Sequence, residues 1–242
     1  MKNKIIYLSI LVIIIITYNA CSQQVSQSKI NFNIARDGIV HIGAKSDSIS
    51  EKIIWCGTGF AVDSICTFIT AKHVLRNINK ERIVIRFQIP NDRTRVRTVS
   101  ARVLFEHATK DIAFLRIDSI GNHSCKSGSL YNFKIFPTQS IQTLVGEEIF
   151  IIGHPKISKT DNFDIPILRG GIISSTEIKF GEEPMLLLDL QGVPGFSGSP
   201  VILQSTGEVV GIVYGPGPTH RVFGFEWATP LSEINYNEAI TQ

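Results

Sequence analysis

A serine lies between two glycines in Gly195-Phe196-Ser197-Gly198-Ser199-Pro200. Glycine flanks let a backbone turn tightly and approach a ligand closely. Two amide N–H groups can then share one concavity with the hydroxyl, the geometry that stabilises a developing oxyanion. A histidine, His73, follows the apolar run Phe68-Ile69-Thr70-Ala71-Lys72. An imidazole titrates near neutrality, so one fixed at the end of a strand can serve as general base. Asp111 opens the strongly apolar segment Ile112-Ala113-Phe114-Leu115-Arg116-Ile117. A carboxylate entering a buried strand is costly without a hydrogen-bonded partner, and an imidazole N–H is such a partner. Singly, the three read as a turn, a helix cap and a strand entry. Jointly they supply a nucleophile, a base and the acid that orients the base.

These residues need a rigid frame. Short β-type segments punctuated by turns are expected at 38–43, 53–62, 66–70, 82–89, 96–105 and 112–117, then at 147–152, 167–176, 185–190, 200–204, 208–214 and 221–228. Many short strands at regular spacing point to an all-β barrel or sandwich. The stretch 119–144 is less periodic and richer in Ser, Gly and Asn, and so joins two β halves. Helix is expected only as one turn near Ala71–Asn77 and as a short segment after Pro230. No internal repeat stands out.

With 242 residues, 43% of them hydrophobic, the chain can bury a sizeable core as one domain or two small β-rich units. Its net charge of +3 is slight and no basic cluster alternates with aromatics, so nucleic-acid binding has no support. Lys2 and Lys4 precede an uncharged run from Ile5 to Thr17, suited to the apolar core of a secretory signal. Ala20-Cys21 after it resembles the bacterial lipoprotein cleavage site, with Cys21 as the lipid-bearing residue; Tyr18 departs from that pattern. An ordinary signal peptide and an uncleaved anchor are the other readings, and all three put the folded domain outside the cytoplasm. Residues 1–20 are then the signal, 21–36 a polar tether and 37–242 the folded domain. Cys56, Cys66 and Cys125 remain, too many for one intramolecular bridge and without zinc-ligand spacing. If residues 63–64 turn a hairpin, Cys66 falls opposite Ala61 and not Cys56, so the pairing is left open and buried thiols are the default.

The order His73, Asp111, Ser197 and the contexts ITAKHV, DIAFL and PGFSGSP resemble the trypsin-like serine peptidases, from about residue 37 to 233. Trp55-Cys56-Gly57-Thr58-Gly59-Phe60 is similar to the strand before that family's histidine loop. Ile151-Ile152-Gly153-His154-Pro155, Gly171-Ile172-Ile173-Ser174 and Phe225-Glu226-Trp227-Ala228-Thr229-Pro230 resemble bacterial HtrA-type members more than digestive enzymes. The resemblance implies two packed six-stranded antiparallel barrels, about 37–120 and 145–230. It implies a serine endopeptidase that needs no metal or other cofactor and acts on proteins or peptides, a homo-oligomer being an option; the lipoprotein-type site adds Cys21 as membrane tether. Ser197 would attack, His73 would carry the proton, and Asp111 would orient His73. The backbone N–H groups of Gly195 and Ser197 would form the oxyanion hole. Gln191, Val213, Tyr214 and Gly215 would line the primary specificity pocket. No acid is seen at those positions, so a small or apolar side chain is the expected occupant.

Phe196 stands where zymogen-type members carry an aspartate that pairs with a freed N-terminus, so activation by N-terminal insertion is not expected. Val74 replaces the cysteine that many secreted relatives place after the histidine. The chain runs little beyond the core, so control through an attached PDZ domain is not expected either. The competing reading is a silent protease-like domain that binds extended peptides. An esterase is disfavoured because Ser197 leads into Pro200 and β-type residues instead of a helix.

Overall fold

The computed structural model describes residues 30–46, 52–63, 66–89, 92–117, 130–135, 144–156, 165–215, 224–232 and 234. Among them, twelve strands form two closed antiparallel barrels. The first contains β1 (Ile39–Lys45), β2 (Ile53–Ala61), β3 (Thr67–Thr70), β4 (Ile83–Ile89), β5 (Asp92–Glu106) and β6 (Ala113–Ile117). The second contains β7 (Glu148–Gly153), β8 (Ile167–Phe180), β9 (Glu183–Asp189), β10 (Pro200–Leu203), β11 (Val209–Gly215) and β12 (Phe225–Pro230).

The strand order is the same in both. Within each barrel the first strand pairs with the second and the fourth, the second with the third, and the third with the sixth; the fifth lies between the sixth and the fourth. Closure leaves neither sheet an open edge. The two halves therefore repeat a topology that leaves no readable repeat in the residues. Every strand expected from the sequence is present within a few residues of its expected bounds. A 3₁₀ turn spans Lys72–Leu75, inside the segment expected to make one helical turn. The one α-helix among the described residues, α1 (Phe32–Ala35), is capped by the Asn31 side chain, which accepts from Asn33 N–H. The segment expected to be helical after Pro230 lies largely outside the described residues, as do the signal sequence, Cys21 and Cys125.

One expectation of register fails. Ala61 pairs with Phe68, not Cys66, because the β2–β3 connection is longer than a two-residue turn. Val62 N–H donates to Thr67 C=O, and Asp63 Oδ1 takes the Thr67 N–H. Cys66, with φ of 66°, sits in that connection. It is disulfide-bonded, whereas Cys56 is a free thiol. The two are thus not joined, but the expectation of buried thiols throughout is wrong at Cys66.

Residues of the first barrel, among them Ile42, Phe60, Phe68, Phe114 and Leu115, are fully buried. Their cluster continues without a break into Ile152, Ile202, Val209 and Ile212 of the second barrel. A second cluster fills the other barrel with Ile151, Ile173, Leu186, Leu188, Phe196 and Val213. Burying each such side chain contributes roughly 1.5–3 kcal/mol. The site's elements are thereby set on a scaffold that spans both barrels.

Candidate active site

His73 enters from the first barrel, on the 3₁₀ turn that follows β3, and Asp111 from the approach to β6. β3 and β6 are neighbours, with Thr70 opposite Ala113, and this pairing brings the histidine and the aspartate together. Asp111 then holds His73 twice. Its Oδ1 accepts the His73 backbone N–H at 2.8 Å and its Oδ2 lies 2.6 Å from Nδ1. The second contact fixes the imidazole's orientation and favours a proton on Nδ1, which leaves Nε2 to accept one. The cost of placing a carboxylate beside an apolar strand is met by these two bonds.

Ser197 comes from the second barrel, on the loop between β9 and β10. Gly195 and Gly198 both have positive φ, 100° and 88°. A Cβ at 195 would strike the His154 carbonyl, and one at 198 the Thr58 carbonyl. Both positions therefore require glycine on conformational and steric grounds. The loop is tied on several sides. Val213 donates its N–H to Ser199 C=O and accepts from Gly198 N–H. Thr58 N–H donates to Ser197 C=O at 2.9 Å. Lys156 N–H donates to Pro194 C=O at 2.6 Å. Because a trans peptide is planar, the Gly195 N–H points away from that Lys156 contact. Neither Gly195 N–H nor Ser197 N–H has a hydrogen-bond partner among the described residues, whereas Phe196 N–H is used by Val193 C=O.

The Ser197 hydroxyl donates to the Tyr214 carbonyl at 3.3 Å. Among the described residues it makes no hydrogen bond to His73. Tyr214 touches both partners, since its ring lies 5.1 Å from the His73 ring, centroid to centroid. Burial, with Asp111 nearby, raises the Tyr214 phenol above its ordinary range, and Arg76 opposes the shift.

Phe196 is fully buried in the core of the second barrel. The loop is anchored there by packing, in the place where an ion pair was not expected. Thr58, which drew no attention in the sequence, is the hydrogen-bonding hub below it. Its hydroxyl donates to Gly195 C=O at 2.8 Å and accepts from His154 N–H at 2.9 Å, while its own carbonyl accepts from the Thr70 hydroxyl at 2.7 Å. No spacing rule marks such a residue, because its partners come from both barrels.

Gln191 is exposed, Val213 turns into the second core, and Gly215 borders the nucleophile. None of these positions is acidic, but an acid from another strand lies beside them. Glu226, on β12, is buried with its carboxylate against Gly192, where any side chain would overlap it. Burial pushes its carboxyl up to about 7, against a backbone hydrogen bond with Gly192 and the nearby Arg169. The strand containing Glu226 was read for its family likeness, and its register toward Gly192 is set only by barrel closure.

Residues 57–212 match the family model of the trypsin-like peptidase domain, a span that contains His73, Asp111 and Ser197. Among solved structures, the chain is similar to the serine endoprotease from Yersinia pestis, with a TM-score of 0.55 and 24% identity. That similarity covers 82% of this chain and 60% of the endoprotease chain. No curated protein matches.

Proposed function

Because the chain belongs to the family of trypsin-like peptidase domains, we propose that it is a serine endopeptidase whose chemistry is carried by His73, Asp111 and Ser197. The observation that carries this reading is the double hold of Asp111 on His73, with Oδ2 2.6 Å from Nδ1. An imidazole held at Nδ1 has Nε2 available as base. Rotation of the Ser197 side chain away from Tyr214 brings its hydroxyl to that nitrogen; apo structures often hold such contacts open.

In the reaction, Ser197 Oγ attacks the peptide carbonyl as Nε2 takes its proton. The carbonyl oxygen, now negative, receives the unengaged N–H groups of Gly195 and Ser197. His73 returns the proton to the departing amine, leaving an acyl-enzyme on Ser197. Water, activated by the same nitrogen, attacks the ester, and the proton returns to Ser197 as the acid leaves. Asp111 stays ionised throughout and stabilises the imidazolium.

A fluorophosphonate probe tests the assignment. The full chain is expected to be labelled, and Ser197→Ala to abolish labelling; His73→Ala should slow it on the order of 10⁴-fold or more. Labelling that survives in Ser197→Ala would refute it. The bond from Ser197 to Tyr214 favours a second reading, a silent peptide-binding domain, and that reading predicts no labelling of the wild type. Internally quenched peptides then test endopeptidase cleavage directly.

The oxyanion loop is ordered by Phe196 packing and the Thr58 hub, without insertion of a freed N-terminus. The sequence features of residues 1–21 support an extracytoplasmic site in a bacterial envelope, with the domain tethered by lipidated Cys21, and Ser22 after it fits outer-membrane sorting with the domain facing the periplasm. Its partners are protein or peptide substrates, and a homo-oligomer is compatible with this placement. Radiolabelled palmitate should enter the wild type and not Cys21→Ala; equal incorporation would exclude lipidation at that residue.

A further inference from the structure

Glu226 is the buried acid that the proposed reaction leaves unused, and it lies against the entry to the oxyanion loop. Its carboxylate accepts a hydrogen bond from Gly192 N–H. A Cβ on Gly192 would overlap both Oε2 and the carboxyl carbon, so the acid rests directly on the backbone there. β12 is a rigid mount for it. Glu226 pairs with Leu188 of β9, and Ala228, two residues on, pairs with both Leu186 and Val213. From Gly192 the chain passes through only Val193 and Pro194 to reach Gly195. Val193 C=O accepts from Phe196 N–H at 3.2 Å, Pro194 C=O from Lys156 N–H at 2.6 Å, and Gly195 C=O from the Thr58 hydroxyl at 2.8 Å. Among the described residues, Glu226 supplies the one hold on 192–195 that can change its charge.

The surroundings compensate that charge only in part. Arg169 of β8 attracts it. β9 presents Leu188 opposite it, and Asp189, which pairs with Phe225, is exposed. On the side of β11 stands Gly215, where a Cβ would lie 3.5 Å from Ser197 Oγ and 3.8 Å from Glu226 Oε1. Burial accordingly pushes the carboxyl up to about 7. A carboxylate buried with so little compensation is unfavourable for folding. What its charge contributes is a firmer hold, because a hydrogen bond to an ionised acceptor is roughly twice as strong as one between neutral groups. Protonated, or replaced by an amide, the group accepts the same N–H more weakly.

We infer that Glu226 is a positioning residue for the reaction: its carboxylate, braced on β12, fixes the Gln191–Gly192 peptide and, through Val193 and Pro194, the Gly195 N–H that receives the oxyanion. This rests on the peptidase reading. The hold tightens as pH rises through about 7, where the carboxyl loses its proton. Stability runs the other way. The unfolded chain gives up this proton near 4.5 and the folded one near 7, so the folded form loses stability between those values and recovers none above them. Glu226 thus stores strain beside the site in return for an ordered loop.

Three measurements on the full chain test it. With quenched peptides, Glu226→Gln should lower kcat about fivefold or more at pH 8 with little change in KM, and the two proteins should agree within about twofold at pH 6. Their ratio cancels the titration of His73, which both share. A ratio near one at both pH values overturns the inference. So does the same loss at both, because a merely structural defect would not follow pH. A loss confined to peptides with lysine or arginine before the cleaved bond also overturns it, since Glu226 would then act on the substrate. In denaturant, the variant should be more stable than wild type at pH 8 and gain little at pH 4.5; equal stability at pH 8 shows that Glu226 stores no strain and overturns it too. Hydrogen exchange needs no catalysis. At pH 8 the segment 191–197 should exchange about fivefold faster in Glu226→Gln than in wild type, and equal exchange overturns the inference. A wild type that takes no fluorophosphonate yet shows that difference upholds the hold on the loop while refuting the peptidase reading.

Discussion

At the scale of single residues, Thr58 does more than its type suggests. A buried hydroxyl can donate once and accept twice, and Thr58 donates to Gly195 C=O and accepts from His154 N–H. It thereby fixes the Gly195–Phe196 peptide, which adjoins the Gly195 N–H available to an oxyanion. Thr58→Val keeps the shape and removes the hydroxyl. It leaves a partly buried carbonyl and a buried N–H unpaired, at up to about 1–3 kcal/mol each. Stability should fall by a few kcal/mol in denaturant titration. The kcat should drop on the order of tenfold or more with little change in KM, because a shifted oxyanion donor acts in the transition state. Thr58→Ser should restore both. A valine variant that matches wild type in kcat would show that the hydroxyl only fills space.

The strands explain why some of this was legible and some was not. Short β-branched apolar runs such as Ile83-Val84-Ile85 and Val209-Val210-Gly211-Ile212-Val213 announced β structure, and the order of His73, Asp111 and Ser197 announced a site. Cross-strand placement was not legible, because it depends on registers between segments far apart in sequence. That is why Thr58 and Glu226 went unread, and why Cys66 was placed opposite the wrong residue. A column of rings across strands is another case. His41 of β1 stacks at 4.4 Å on Trp55 of β2 and at 4.7 Å on His154 beyond β7, and Arg86 of β4 lies 4.2 Å above the Trp55 ring. Burial, then His154 and Arg86, pushes the His41 imidazole down to about 2. In the unfolded chain the same group takes up a proton near 6.5. Its stabilising contribution is therefore complete above that value and is lost as pH falls, at about 1.4 kcal/mol per unit. Between pH 7.5 and 5 this amounts to about 2 kcal/mol. His41→Phe retains a stacking ring and cannot be protonated, so its unfolding free energy should decline less over that range. Parallel pH profiles for the two proteins would show that His41 does not carry this linkage.

On the scale of the whole molecule, the question is whether two barrels of like topology unfold as two units or one. Three connections favour one. The first hydrophobic cluster joins Ile42, Phe60 and Leu115 of one barrel to Ile202, Val209 and Ile212 of the other. The segment 130–135 bonds to both, with Phe133 N–H donating to Ala61 C=O and Val209 N–H donating to Lys134 C=O. The proposed site is itself divided, with His73 and Asp111 from the first barrel and Ser197 from the second, and Thr58 N–H crosses the junction to Ser197 C=O. Neither barrel can open without exposing apolar surface of the other. The chain's two tryptophans, Trp55 on β2 and Trp227 on β12, report one barrel each. Trp227→Phe and Trp55→Phe single-tryptophan proteins should therefore show coincident denaturant midpoints once corrected for each substitution's own effect by circular dichroism. Ile202→Ala, in the shared cluster, should cost about 2–5 kcal/mol and lower both midpoints together. Fluorescence transitions that separate, or an Ile202→Ala shift confined to the Trp227 signal, would establish two independent units. In that case the site would have to assemble by docking.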